Sequence, residues 1–140
     1  MGISIDKSSL TSSPNIIELY KGQSKDIPML VTKPALDTEG NLIDIPFNLD
    51  GCTLFFSVRL DEDSPDILIS KVSTDPEQIQ ILTPFEDGKS VIFISYQDTL
   101  YMEPGRYRFD VWVELPNDKR FPVVEPSDFV VKKSITRIAQ

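Results

Sequence analysis

Short apolar segments alternate with turn residues along most of the chain, at intervals of roughly 8–14 residues. This spacing is typical of a β-sandwich or barrel and not of strands that alternate with helices. No segment keeps the i, i+3, i+4, i+7 apolar pattern over the length of a helix. The pattern predicts strands over nine segments, namely 16–21, 27–32, 53–60, 67–72, 78–82, 90–95, 106–115, 121–124 and 128–132.

The alternation is clearest in segment 106–115, where every odd-numbered position from Tyr107 to Leu115 is apolar. Segment 53–60 repeats the pattern, and its apolar side consists of Leu54, Phe56, Val58 and Leu60. Successive side chains of a strand point to opposite faces. We therefore expect these two strands to bury one face each and to form the centre of the core.

The chain of 140 residues is long enough for one core and predicts one domain over 15–133. The Ser/Thr-rich residues 1–14 predict a flexible N-terminal arm, and 134–140 a C-terminal tail. One helical turn is expected near 97–101, capped by Asp98 or Thr99. Pro28 and Pro122 fall inside predicted strands, which indicates sheet edges or bulges. The fold class is all-β, an antiparallel sandwich of about eight or nine strands.

Composition narrows the chemistry that the chain can perform. The absence of histidine excludes Ser-His-Asp and Cys-His catalysis and histidine-ligated metals. A formal charge of −8 argues against nucleic acid as a partner. No apolar run is long enough to span a membrane, so we expect no membrane association, and no motif indicates a cofactor. The single cysteine, Cys52, reads as a small hydrophobe at the start of an apolar run.

Carboxylates are the remaining groups that could carry chemistry. Asp61, Asp63 and Asp66 lie in an acidic loop and are a weak candidate for calcium, although the EF-hand spacing is absent. A small hydrolase would need two acids that face each other in a cleft. Glu103, Asp110 and Glu114 are scattered over one strand and the residues just before it, so a solvated charged surface is the simpler interpretation.

Aromatic residues are the candidates for an interaction surface. Trp112 and Phe55 lie on the more polar sides of their predicted strands. They could belong to the core of a sandwich or to an exposed patch that a partner covers. Tyr101 is a further candidate interface residue. With Tyr96 and Trp112 it could alternatively stack on sugars, as in a carbohydrate-binding module.

The segment Pro104-Gly105-Arg106-Tyr107 resembles the tyrosine corner of Greek-key sandwiches. In that motif a tyrosine near a strand start bonds its hydroxyl to the upstream backbone. We therefore predict a structural role for Pro104, Gly105 and Tyr107 and no catalytic residue among them.

Three motifs in order resemble the immunoglobulin-like N-terminal domain of tailed-phage baseplate upper proteins and related virion modules. They are 17–23 (IELYKGQ), 49–59 (LDGCTLFFSVR), and 98–99 (DT) leading into 104–113 (PGRYRFDVWV). The segment 34–48 is longer than in that family pattern. The resemblance implies an immunoglobulin-like sandwich and a non-enzymatic structural or assembly protein of the baseplate, tail, neck or head.

The same resemblance implies that other virion proteins are the partners, and a homo-oligomer is possible. It places the protein in the virion, after synthesis and assembly in the host cytoplasm. A carbohydrate- or receptor-binding adhesion module on the same sandwich is the alternative, and a small carboxylate hydrolase is the third.

Overall fold

The computed structural model describes residues 16–136, which fold mainly as strands. The strands of this range are β1 Ile16–Tyr20, β2 Lys25–Leu30, β3 Thr32–Leu36, β4 Leu42–Pro46, β5 Thr53–Arg59, β6 Ile69–Val72, β7 Ile79–Ile81, β8 Lys89–Ile94, β9 Gly105–Glu114 and β10 Arg120–Lys132. Two helical turns accompany them, a 3-10 turn at Phe85–Asp87 and α1 at Tyr96–Thr99. The predicted arm, 1–14, and residues 137–140 of the predicted tail lie outside the described residues.

The strands form a sandwich with an immunoglobulin-like order. One sheet has five strands in the order β1-β10-β9-β5-β6, and the other has three in the order β2-β8-β7. This is the division found in immunoglobulin domains, where strands B, E and D oppose strands C, F and G. β1 runs parallel to β10, and the other pairs are antiparallel. The fold class predicted from the sequence is confirmed.

The core lies between the two sheets and is centred on β5 and β9, as the alternation predicted. The inward residues of β5 are Leu54, Phe56 and Val58, and all three are fully buried. The ring of Phe56 packs 5.7 Å from that of Phe109 on β9 and 6.4 Å from that of Phe129 on β10. Leu60 departs from the prediction, because β5 ends at Arg59 and Leu60 is exposed in the connection that follows.

The two prolines inside strands lie where they were expected, whereas the predicted helix cap, Asp98 or Thr99, is wrong. β2, which contains Pro28, is an edge strand of the three-stranded sheet. A register shift follows Pro122, which marks a bulge in β10. The predicted helical turn is present as α1, but Ser95 precedes it as the N-cap. Asp98, predicted as a cap, instead accepts the Ser95 backbone N–H at 2.8 Å.

Two features of the fold differ from the predicted strands. The segments 121–124 and 128–132 are parts of one long strand, β10, which stays continuous through its bulges. The long segment 34–48 contributes to a β-hairpin, in which β3 and β4 pair as a separate two-stranded sheet. The chain thus has ten strands in the described range instead of eight or nine.

Candidate functional site

The outward side chains of β5 and β9 form one side of the five-stranded sheet, which we call the outer face. Its centre consists of three directly opposed pairs, Phe55–Trp112, Ser57–Asp110 and Arg59–Arg108. Residues opposite each other in an antiparallel pair lie on the same side of the sheet and contact each other. Side chains alternate between the two sides of a strand. The alternation that buries the inner side of β9 therefore also brings these six side chains together on the outer side.

Trp112 lies on this surface and not in the core. Its side chain is 39% exposed, while its neighbours Val111 and Val113 are fully buried. The indole Nε1 donates a hydrogen bond of 3.0 Å to Oδ2 of Asp110. This bond orients the ring, so that an apolar surface faces solvent in a fixed position.

A shallow groove runs across the outer face beside Trp112. It consists of two adjoining depressions of about 360 and 250 Å³. Both depressions are lined by Ser57, Asp110 and Trp112. The larger continues to Arg59, Asp61, Glu62 and Arg108, and the smaller to Phe55 and Arg120. We call this feature the outer-face groove.

Arg108 forms one wall of the groove and is held by several partners. Its guanidinium donates to Asp128 Oδ1 at 2.6 Å, to Glu62 Oε1 at 2.9 Å and to the Pro126 carbonyl at 2.9 Å. These hydrogen bonds, first that of Asp128 and then that of Glu62, raise the pKa of Arg108 above its usual value. Since the partners come from β10 and from the loop after β5, the contacts fix three segments around the groove.

The other arginines also lie on the outer face. Arg120 Nε donates to Glu114 Oε1 at 2.7 Å, and its guanidinium lies 5.9 Å from the centre of the Phe55 ring. Arg59 donates to the Ser64 carbonyl at 3.1 Å but forms no ion pair with any described residue. With Arg106 and Arg108, these are all the arginines of residues 16–136. The cationic groups that bind carboxylates best are thus gathered on one surface.

The predicted tyrosine corner is present. The Tyr107 hydroxyl donates to the Glu103 carbonyl at 2.6 Å, across the bend at Pro104 and the start of β9 at Gly105. Burial, followed by the charge of Glu103, raises the pKa of Tyr107. The role of these residues is to fix the path by which the chain enters β9.

The remaining aromatic candidates do not join the groove. Tyr101 is 90% exposed between α1 and β9, and Tyr96 begins α1. Neither residue lines either depression. Of the three aromatic residues proposed to stack on sugars, the structure places only Trp112 in the groove.

Asp61 and Asp110 both line the larger depression, whereas the other acidic candidates lie elsewhere or are bonded to other groups. Asp61 Oδ1 accepts the backbone N–H of Asp63 at 3.0 Å, which forms a local turn. Within residues 16–136, no group of three His, Cys, Asp or Glu side chains could hold a metal ion. The structure therefore does not assemble Asp61, Asp63 and Asp66 as calcium ligands.

The carboxylates considered for hydrolysis have other partners. Asp110 is bonded to Trp112 and Glu114 to Arg120, while Glu103 contributes its backbone carbonyl to the tyrosine corner. Cys52 is half-buried against the core. Desolvation, followed by Asp50, raises the pKa of its thiol, so the unreactive protonated form is favoured.

The sequence did not reveal the groove, because its walls come from segments far apart in the chain. Glu62, Pro126 and Arg120 join it from the loop after β5 and from β10. One signal was present, namely the outward series Arg108, Asp110 and Trp112 on β9. An arginine, an acid and a tryptophan on one exposed side form an unusual composition for a solvated surface.

A search of protein-family models and a search of curated proteins both give no match to this chain. Residues 16–136 contain no helix with the length and apolar character needed to cross a membrane.

Proposed function

We propose that this protein is a non-enzymatic structural protein of a phage particle, a component of its baseplate, tail, neck or head. It acts through protein contacts made by the outer face. The observation that carries this proposal is Trp112, exposed and oriented by Asp110 at the centre of a groove with arginines on its borders. Trp and Arg are among the residues that contribute most binding energy in protein interfaces.

The ion pairs on the outer face also support binding by a surface that is already ordered. Arg108 is held by Glu62 and Asp128, and Arg120 by Glu114. Such contacts keep the side chains of a surface ordered before a partner arrives. A partner then binds with a smaller loss of conformational entropy than it would on a mobile surface.

The assignment to a virion rests on the resemblance of three motifs to baseplate domains. Segment 17–23 includes most of β1, 49–59 includes β5, and 104–113 includes most of β9. All three strands belong to the five-stranded sheet, so the resembling segments form one structural unit. The proposal places the protein in the virion, with synthesis and assembly in the host cytoplasm.

The test is to co-express the full chain with the products of the genes that flank its coding sequence and to measure co-purification. We expect tail, baseplate or head proteins among those products, and binding that Trp112→Ala removes. Tyr101→Ala is the control, because it removes an exposed aromatic residue outside the groove. The proposal would be contradicted if the flanking genes encode no virion proteins and none of their products binds the chain.

Carbohydrate binding is the second candidate function, and the shape of the groove favours it. An exposed indole beside Ser57, Asp110 and Arg59 combines a stacking surface with hydrogen-bonding groups for hydroxyls. The absence of Tyr96 and Tyr101 from the groove leaves a single stacking ring, which makes this candidate weaker. A glycan array separates the two functions, since only the second predicts a signal that Trp112→Ala abolishes.

A further inference from the structure

Arg120 and Phe55 show how the outer face holds a cation. The guanidinium of Arg120 lies 5.9 Å from the centre of the Phe55 ring, and its Nε donates to Glu114 Oε1 at 2.7 Å. The face of an aromatic ring attracts a cation, and a carboxylate adds a charge-assisted hydrogen bond. The three side chains thus form a unit of cation, ring and carboxylate.

The same unit occurs between β1 and β10 of this sheet. The ammonium of Lys132 lies 5.5 Å from the centre of the Tyr20 ring and 3.0 Å from Glu18 Oε2. Tyr20 and Lys132 are directly opposed in the register of the two strands. Two aromatic rings of the five-stranded sheet are therefore each paired with a cation that a neighbouring carboxylate also holds.

Trp112 and Asp110 supply two of these three components. The indole Nε1 donates to Asp110 Oδ2 at 3.0 Å, so the ring and the carboxylate lie side by side on β9. Within residues 16–136, no lysine or arginine lies over the Trp112 ring, and none forms an ion pair with Asp110. Tryptophan is the aromatic residue that attracts cations most strongly. Trp112 and Asp110 are thus suited to a cation that another molecule supplies.

The arginines of the outer face are held at other positions. Arg106, Arg108 and Arg120 each form an ion pair with a carboxylate of this sheet or of the loop after β5. Arg59 has no ion pair among the described residues, but it lies opposite Arg108, four residues from Trp112 on β9. At roughly 3.4 Å per residue, these two positions on β9 are about 14 Å apart.

The unpaired charges of the groove are mostly negative. Asp61 and Asp110 both line the larger depression without an ion pair to a described residue, against one such arginine, Arg59. The charged residues that line the smaller depression are Asp110 and Arg120, and Glu114 offsets the charge of Arg120. The uncompensated charge of the smaller depression is therefore that of Asp110. The formal charge of −8 also attracts basic partners over longer distances.

A row of apolar side chains crosses the sheet at Trp112. Val72, Phe55, Trp112 and Pro122 are opposed in turn across β6, β5, β9 and β10. Residues in such register share one side of the sheet, so the row offers a packing surface beside Asp110. A free small molecule is normally bound in a concave pocket that encloses most of it. A shallow groove next to an apolar row instead suits a side chain that a protein surface presents and covers.

We propose that a partner protein places an arginine side chain in the smaller depression. Its guanidinium would stack on the Trp112 ring and donate to Asp110, and apolar neighbours of that arginine would pack on the row. Arginine fits better than lysine, because the planar and weakly hydrated guanidinium stacks on aromatic rings and bonds carboxylates through two nitrogens. This inference rests on the proposed function, because it names the chemistry that the partner presents to the same surface.

The experiment titrates the full chain, labelled with nitrogen-15, with capped tripeptides and follows the N–H resonances. The central residue of the tripeptide is arginine, lysine, glutamate or citrulline, the uncharged analogue of arginine, and a leucine stands on either side. Trp112 is the only tryptophan of the chain, so its indole N–H gives a single reporter at the proposed site. The spectrum of each variant also confirms its fold.

We expect the arginine peptide to shift the indole resonance of Trp112 with a Kd on the order of 1 mM. The citrulline peptide should bind about 10-fold more weakly, since it lacks the charge that the ring and Asp110 attract. The lysine peptide should fall between them, because an ammonium neither stacks nor forms two parallel hydrogen bonds. The glutamate peptide should not bind, since Asp110 repels it.

Asp110→Asn is the decisive variant, because asparagine keeps an oxygen that can accept the indole N–H and removes the charge. The arginine peptide should then bind about 10-fold more weakly, no better than citrulline. Trp112→Ala, followed at the backbone N–H of Ser57, should weaken binding to a similar degree. Glu77→Gln is the matched control. It removes one negative charge from an exposed residue that lines neither depression, and it should leave the affinity unchanged.

Three results would overturn the inference. They are no shift with the arginine peptide at about 50 mM, equal affinity for arginine and citrulline, and full affinity in Asp110→Asn. A lysine peptide that binds as tightly as the arginine peptide would overturn the choice of arginine, because the groove would then select charge alone.

Binding to the products of the flanking genes separates this inference from the proposed function. If such a product binds through Trp112 while the arginine peptide does not bind, the partner presents another residue and the proposed function stands. If the arginine peptide binds and no product of the flanking genes does, the groove selects arginine but the proposed function fails. If neither binds, both are wrong.

Discussion

The indole Nε1 of Trp112 lies 3.0 Å from Oδ2 of Asp110, two residues earlier on the same strand. Both side chains point away from the core, so this bond stabilises the orientation of an exposed ring and not the packing of the sandwich. A tryptophan can contribute to folding and to association. Because this bond acts on an exposed ring, it should matter for association and much less for folding.

Trp112→Ala should leave the fold intact and lower the free energy of unfolding by about 1–2 kcal/mol. A tryptophan in the core would cost about 3–5 kcal/mol, because its removal leaves a cavity. Urea unfolding followed by circular dichroism measures the difference. Asp110→Ala should reproduce much of the loss of association with less effect on stability, since it frees the ring without removing it. A core-sized loss of stability would contradict the placement of Trp112 on the outer face.

Tyr107→Phe tests the tyrosine corner. The substitution removes the hydroxyl that donates to the Glu103 carbonyl at 2.6 Å and keeps the ring. We expect the free energy of unfolding to fall by about 1–3 kcal/mol, because the carbonyl loses its partner in a partly buried site. Tyr101→Phe is the matched control and should change stability by less than about 0.5 kcal/mol. Equal effects of the two substitutions would show that the corner contributes nothing.

The raised pKa of Tyr107 gives a dependence on pH. An unfolded tyrosine titrates near its usual pKa of about 10, whereas burial and then Glu103 hold the proton more tightly in the folded chain. The resulting stabilisation is complete below about pH 10 and is lost as the pH rises through the folded-state pKa. Unfolding midpoints measured from neutral to strongly alkaline pH should fall less steeply for Tyr107→Phe. Parallel curves for the two proteins would contradict this linkage.

The sequence was most informative where one side of a strand is buried and the other is not. The alternation in β5 and β9 predicted their inward residues, and the Pro104-Gly105 bend predicted the corner. The alternation put Trp112 and Phe55 on the opposite sides of these strands but left open whether those sides were core or surface. Leu60 shows the limit, since apolar periodicity does not mark where a strand ends. The end of β5 depends on the turn after Arg59.

Apolar periodicity predicted neither the hairpin nor the groove, and the physical reason differs between the two. Pro34 and Pro46 fall in β3 and β4, and proline disfavours the prediction of a strand. In this two-stranded sheet most side chains are exposed, so no buried face imposes a clear period of two. The groove depends on the register between distant strands, such as Ser57 opposite Asp110, which local sequence does not specify.

Gly88→Ala tests how the hairpin is attached to the sandwich. Gly88 has a φ of +67°, and a Cβ there would lie 2.4 Å from the Val31 carbonyl and 2.9 Å from that of Phe47. Because both atoms belong to the backbone at the base of the hairpin, they cannot move without breaking its hydrogen bonds. We expect a loss of at least about 3 kcal/mol in the free energy of unfolding, together with faster hydrogen exchange at Val31 and Phe47.

Gly40→Ala is the matched control for this substitution. Gly40, in the turn at the hairpin tip, has a φ of +82°, and a Cβ added there would have no atom within 4 Å, so only backbone strain applies. That strain costs about 1–2 kcal/mol and should leave exchange at Val31 and Phe47 unchanged. The contrast isolates the close approach at Gly88 from the left-handed conformation that both glycines share. Similar losses at the two glycines would mean that the base of the hairpin yields easily and that the close approach at Gly88 does not hold it in place.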